Sequence, residues 1–150
     1  PFIPSGKDSD DKYNEIYNIQ AHALAKRLLH TGVEKVTIGV SGGLDSTFAL
    51  LVVVKAYDLL KIPRENIVGI TMPGFGTTGR TYNNAIDLMK ALGVTNKEIS
   101  IKESVIQHFK DIEHDIDQHD LTYENSQARE RTQILMNYAG KSSIRHVQRE

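Results

Sequence analysis

VTIGVSGGLDSTFALLVVV, residues 36–54, is the stretch that decides the fold. A short β-branched run ends at Val40, six positions follow that are small or polar but for Leu44, and a second, longer apolar run begins. The first run reads as a buried strand over residues 36–40. The second reads as a helix over about 46–60 that is apolar nearly all round, hence buried on most sides, and stopped by Pro63. One turn needs one glycine, yet this junction holds Gly42, Gly43, Ser41, Ser46 and Asp45. Backbone N–H groups at a strand-to-helix junction point outward together, and the helix N-terminus adds partial positive charge, so the junction is an anion site, most often for phosphate. The glycines permit a tight turn and close approach of a ligand. Ser41, Ser46 and Thr47 can donate hydroxyl hydrogen bonds to phosphate oxygens. A carboxylate at Asp45 would repel them unless a divalent cation stood between, and Mg²⁺ commonly holds one or two carboxylates together with substrate phosphates. The alternative is that Asp45 or Ser46 caps the helix and the glycines only turn the chain. The spacing matches neither G-x-x-x-x-G-K-[ST] nor G-x-G-x-x-G.

Working outward, residues 1–10 read as a linker. A helix over about 11–29 should turn Tyr13, Ile16, Ile19 or Gln20, Leu24 and Leu28 inward and end at Gly32. NIVGITM (66–72) is a second buried strand, followed by a glycine-rich loop at 73–79. A helix over about 80–92 carries Ala85, Leu88, Met89 and Leu92 on one face. EISI (98–101) is a third strand. A helix over 103–116 turns Val105, Phe109, Ile112 and Ile116 inward, and a last helix over 124–138 ends at Gly140. Strands alternating with helices, each strand a buried run, predict an α/β fold: a three-layer, doubly wound parallel sheet with helices on both faces. Ligands of such sheets bind beyond the carboxyl ends of the strands, so the loops at 41–45 and 73–79 should face one cleft.

The formal net charge is -1, so no overall field recruits nucleic acid or an anionic membrane. There is no Cys, which excludes disulfides and thiolate metal sites and is compatible with a reducing compartment. The opening PFIPSGKDSDDKY has no signal-peptide core, and the most apolar run, 48–54, is too short to span a bilayer. These features point to a soluble, cytoplasmic protein with no nucleic-acid or membrane partner, and the missing initiator Met to a piece excised from a longer chain. His108, Asp111, His114, Asp115 and His119 have the look of metal ligands. His108, Asp111 and Asp115 share a face, which reads as the solvated side of an amphipathic helix. Tyr57, His22 and His30 read as packing or surface residues.

SGGLDS after a strand resembles the pyrophosphate loop of the N-type ATP pyrophosphatases. Two further stretches, MPGFGTTGRTYNNAIDLMKALGV (72–94) and TYENSQARERTQILMNYAG (122–140), are similar to the amidation domain of glutamine-dependent NAD synthetases. PFIPSGKD resembles the segment that joins that family's glutaminase and synthetase domains. The resemblance covers 1–140, with 11–140 as the N-terminal part of the domain, and implies an adenine nucleotide alpha hydrolase-like fold. KSSIRHVQRE (141–150) matches nothing in the pattern and is left as an unassigned tail, where a further strand and more ligand residues are expected. The resemblance implies ATP-dependent amidation of deamido-NAD to NAD through an adenylated carboxyl group, with release of AMP and pyrophosphate. Ammonia would be free or come from glutamine through a glutaminase domain not present here, and the fragment alone would lack part of its ligands. ATP would lie on Gly39, Val40, Ser41, Gly42, Gly43, Leu44, Asp45 and Ser46, with Asp45 holding Mg²⁺ and no catalytic side chain required. Thr71 and Met72 would flank the adenosine or simply end the strand. Asn125 and Arg129, four apart on one helix face, with Tyr123 stacking on the nicotinate ring, would bind deamido-NAD; Arg131 competes with Arg129 for the substrate's anionic groups. Gly76, Thr77 and Thr78 form a mobile lid or a plain connection. A homodimer or higher homo-oligomer is implied. The alternatives are another amidating ATP pyrophosphatase, of GMP or asparagine synthetase type, or a non-catalytic ATP-binding module.

Overall fold

The computed structural model describes residue 3, residue 6 and residues 8–147, with 142–147 described by backbone only. Most of the linker expected over 1–10 and the end of the tail lie outside the described residues. Three parallel strands form the centre: β1 (Val36–Gly39), β2 (Ile67–Thr71) and β3 (Thr95–Glu98), hydrogen-bonded in that order. Val36 pairs with Ile67 and Val68 with Thr95. Helix α1 (Ser9–Thr31) precedes β1, α2 (Leu44–Leu60) joins β1 to β2, and α3 (Gly79–Leu92) joins β2 to β3. Then come α4 (Lys102–Asp111) and α5 (Leu121–Val147).

Side chains alternate along a strand, and β2 therefore builds two cores. Ile67 faces Leu28 of α1, Leu50, Val54 and Tyr57 of α2, and Ala85 and Met89 of α3. Ile70 faces the other way, toward Ile101, Val105 and Phe109 around α4 and Tyr123 of α5. Each fully buried aliphatic side chain in these clusters contributes roughly 1.5–3 kcal/mol. The sheet thus carries helices on both faces, the three-layer α/β arrangement expected. Among the described residues no helix is long and apolar enough to cross a membrane.

Four expectations need correction. In α1 the buried residues are Ala21, Ala25 and Leu28, while Tyr13, Ile16 and Ile19 are exposed. The two alanines let the backbone of α1 approach α2, and Tyr17 donates a 2.8 Å hydrogen bond to the Leu51 carbonyl there, which rotates the apolar stripe outward. The third strand lies at residues 95–98 rather than 98–101, because Thr95–Glu98 forms the polar outer edge of the sheet. Ile99 and Ile101 still donate to the carbonyls of Thr71 and Pro73 (3.0 and 3.1 Å) and turn into the second core. Helix α4 ends at Asp111, not 116: Glu113 adopts φ 55°, and the amides of Glu113 and His114 close on the carbonyls of Lys110 and Phe109 (3.3 and 2.9 Å). That is a left-handed helix cap made without glycine, at a cost of about 1–2 kcal/mol, and it leaves Ile112 and Ile116 outside the core. Finally, α5 does not stop at Gly140 but runs through it.

The early end of α4 also reassigns the histidines. The His114 ring packs on Phe109 (4.9 Å between centroids) with Nε2 3.0 Å from Asp120 Oδ1, and His119 stacks on Tyr123 at 4.3 Å. These two rings cover the second core and are not part of a solvated helix face. Among the described residues no three His, Asp or Glu side chains converge on a metal position.

Candidate functional site

The junction after β1 is folded on itself by its two serines. The Ser41 amide donates to Ser46 Oγ (3.2 Å), the two hydroxyls are 3.0 Å apart, and the Gly43 amide donates to Ser41 Oγ (3.3 Å). Ser46 Oγ donates in turn to the Gly43 carbonyl (3.1 Å). The first backbone bond of α2 runs from Thr47 N–H to Gly43 O, and no side chain caps the helix. The capping alternative therefore fails for both Asp45 and Ser46. The N–H groups of the first turn of α2 are left for another acceptor, the condition under which a helix N-terminus binds an anion. The two glycines differ. Gly42 sits at φ 82°, and a Cβ there would run into the Thr81 carbonyl of α3. Gly43 has an ordinary φ of −82°, and a Cβ there would meet only Ser41 Oγ at 3.4 Å. The fold demands a glycine at 42 but not at 43.

Beyond the carboxyl ends of β1 and β2 lies an open cleft of about 510 Å³. One wall is Gly39, Val40, Ser41 and Gly43; the floor is Ile70, Thr71 and Met72; a second wall is Pro73, Gly76 and Thr77 with Thr81 of α3. The third wall is one stripe of α5: Glu124, Gln127, Arg131 and Leu135. The loops at 41–45 and 73–79 thus share a cleft. Arg131 donates from Nε to the Met72 carbonyl (3.1 Å). Its guanidinium is half-buried, and burial pulls its pKa below the ordinary arginine value while Glu124 pushes it back up. Among the described residues no carboxylate forms an ion pair with it. A partly desolvated guanidinium without a paired anion, in a cleft also lined by Gly43 just before the uncapped N-terminus of α2, makes a site suited to a ligand with two separate anionic groups.

The predicted residues divide unevenly. Gly39, Val40, Ser41 and Gly43 line the cleft, as do Thr71, Met72, Gly76 and Thr77. Gly42 is turned against α3, and Ser46 is engaged inside its own loop. Leu44 is 83% exposed, and with Asp45 it borders a second groove between α1 and α2, lined by Gln20, Leu24, Phe48, Ala49 and Val52. Thr78 is the N-cap of α3, its hydroxyl accepting from the Thr81 amide, so it is no part of a free lid. Tyr123 is a correction: it is 5% exposed, and its ring is already stacked on His119 and Phe109, which leaves no face for a nicotinate ring. Asn125 is half-buried and Arg129 exposed, both beside the cleft-lining stripe rather than on it. Of the two arginines it is Arg131 that faces the cleft. Glu124, Gln127 and Thr81 were missed. The spacing 124, 127, 131, 135 is itself a helical stripe, and its mixture of polar and apolar residues was the available signal.

Residues 16–146 match the model of the NAD synthase family. The glutamine-dependent NAD(+) synthetase of Mycobacterium leprae is 44% identical over 147 residues, covering 94% of this chain and 22% of that protein. The glutamine-dependent NAD(+) synthetase of Aquifex aeolicus is 33% identical over 137 residues, covering 90% of this chain and 23% of its own length. Among solved structures, the glutamine-dependent NAD+ synthetase of Acinetobacter baumannii in complex with ADP superposes with a TM-score of 0.76 at 28% identity, over 86% of this chain and 24% of that one. The chain thus spans about a fifth to a quarter of the length of these relatives. With most of its length matched by one family's pattern, the chain belongs to the NAD synthase family.

Proposed function

We propose that this chain is the nucleotide-binding part of an enzyme that amidates deamido-NAD to NAD at the expense of ATP. The observation that carries the reading is the cleft that Gly43, the residue before the uncapped start of α2, lines together with Arg131. A substrate set of ATP phosphates and an anionic dinucleotide has the charge distribution that this cleft accepts. The structure of the Acinetobacter baumannii relative is a complex with ADP, which is in keeping with a nucleotide-binding enzyme.

In this reading the amides of residues 44–46 bind and orient the ATP phosphates, and the missing side chain of Gly43 gives them close approach. Asp45 borders the neighbouring groove rather than the cleft itself, but it is exposed, lies in the first turn of α2 two residues after Gly43 of the cleft wall, and is not spent on a helix cap, so its carboxylate is available as a Mg²⁺ ligand. The ion would neutralise charge on the departing pyrophosphate. Arg131, with Asn125 and Arg129 beside it, orients the deamido-NAD carboxylate and phosphates; the carboxylate takes the adenylyl group, ammonia displaces AMP, and pyrophosphate has left in the first step. No side-chain nucleophile is needed, and the residues act by positioning and charge stabilisation. Ammonia comes free or from glutamine through a domain outside this chain, in a cytoplasmic homo-oligomer. Since the chain spans 22% of the Mycobacterium leprae relative, nucleotide binding is the activity proposed for the chain by itself.

The test has two arms. Calorimetric titration with ATP and Mg²⁺ should give binding that weakens at least tenfold in Asp45→Asn, with the melting temperature nearly unchanged because Asp45 is exposed. In the full-length protein, pyrophosphate release from ATP should require deamido-NAD; release at the same rate without it would refute the assignment.

A further inference from the structure

We propose that Gln127 is a positioning residue: a latch that fixes the loop after β2 to α5 and so holds the two halves of the cleft in register. It is 3% exposed, a buried amide in the wall of the cleft. Its Oε1 accepts the Phe75 amide at 3.1 Å, and its Nε2 donates to the Tyr123 carbonyl at 3.4 Å. The neighbouring Gly74 amide donates to Thr77 Oγ1 at 2.9 Å. Two successive loop amides are thus held by side chains, one from within the loop and one from α5. The Phe75 ring, 6.0 Å from that of Tyr123, packs over the same turn of the helix.

What the latch positions follows from its place. Gly76 and Thr77 lie directly after the latched amide and form the cleft wall beside the phosphate-loop junction. Arg131 lies one turn beyond Gln127 on the same stripe of α5. Because Thr77 Oγ1 accepts from Gly74, its own hydroxyl proton is free to point into the cleft. Gly74 leaves room for both side chains: a Cβ there would stand 2.5 Å from Gln127 Oε1 and 2.8 Å from Arg131 Nη2, so any other residue must displace these two side-chain ends. A single buried amide therefore ties the loop wall to the helix that carries the cation. The inference rests on the proposed nucleotide and substrate cleft for its functional consequence, though the latch itself is independent of that reading.

The experiment is amide hydrogen exchange followed by NMR, beside calorimetric titration with ATP and Mg²⁺, on this chain and its variants. Gln127→Leu should speed exchange of the Phe75 amide about tenfold or more, leave the β1 and β2 amides unchanged, and weaken ATP binding. Gly74→Ala leaves Gln127 in place but displaces it, and should reproduce both effects; the double variant should be no worse than either single one. The proposal is overturned by an unchanged Phe75 exchange rate in Gln127→Leu, by unchanged affinity once that amide is released, or by additive effects in the double variant. If the unmodified chain binds no ATP, the proposed function fails and the positioning role with it, while the Phe75 exchange rate alone still decides whether the latch exists.

Discussion

The adjacent glycines of the junction should respond to the same substitution in opposite ways. Gly42→Ala puts a Cβ where φ is 82° and against the Thr81 carbonyl of α3. The left-handed conformation costs about 1–2 kcal/mol for a residue with a side chain. Relieving a backbone clash adds roughly 1–3 kcal/mol of overpacking strain. Together these amount to about 2–5 kcal/mol, which for a domain of this size lowers the melting temperature by roughly 4–20 °C. Gly43→Ala has neither term, since its φ is −82° and its only near neighbour is Ser41 Oγ at 3.4 Å. Its stability should stay within about 0.5 kcal/mol of the parent. Its methyl group, however, enters the cleft wall beside the free amides of α2, where it would hold a phosphate away. Affinity for ATP with Mg²⁺ should fall by about tenfold to a hundredfold, as expected for losing one or two charge-assisted hydrogen bonds. Thermal unfolding and titration calorimetry on both variants separate the two effects. The reasoning is refuted if Gly43→Ala is destabilised as much as Gly42→Ala, or if it binds nucleotide as tightly as the parent.

Other consequences follow from named contacts. Tyr57 is fully buried and donates to the Glu34 carbonyl, and burial, with Glu34 adding to it, pushes its pKa from 10.0 to about 12. Its neutral form is favoured in the fold, so stability is intact below pH 10 and falls as the pH rises to 12, by roughly 2–3 kcal/mol relative to Tyr57→Phe in urea titrations. The Asp120 carboxylate accepts the Tyr123 amide at the start of α5 and contacts His114; the amide first, then the imidazole, hold its pKa below 3.8. Its contribution is present above that pH and lost as the pH falls through the lowered pKa, so the urea midpoints of the parent and Asp120→Ala should converge in acid; a gap that persists would count against the cap. Arg131→Lys loses the Nε donor to the Met72 carbonyl and the planar fork, and should weaken deamido-NAD binding in the full-length protein about tenfold or more, against twofold or less for Arg129→Lys. Equal effects at both positions would reverse the choice between them.

How much of this could be read from the sequence depends on whether a residue's role is set locally or by docking. The strand-loop-helix junction at 36–60 is local: β-branched residues, a glycine pair and a continuous apolar run each act through the nearest few positions, and strand, turn and helix fell where the pattern indicated. The end of α4 was not legible, because a left-handed cap is expected at glycine and here falls on Glu113, whose strain is met by closure onto Phe109 and Lys110. The same break puts His114 and His119 over Phe109 and Tyr123, which no helical wheel drawn through residue 116 could foresee. In α5 the helix was evident, but the face it turns to the cleft was not. Asn125 and Arg129 share one stripe and Gln127 and Arg131 the next, and both are polar enough to serve. What decides between them is the second core: Tyr123, Ile134, Leu135 and Tyr138 pack with Ile70 and Met72 and fix the rotation of the helix about its axis. Once that rotation is fixed, Gln127 and Arg131 are the polar residues that meet the loop after β2, and their partners Phe75 and Met72 lie 52 and 59 residues away in sequence. Contacts of that range depend on how helix and sheet pack together, and a motif read along the chain identifies the ligand class well before it identifies the residue that touches the ligand.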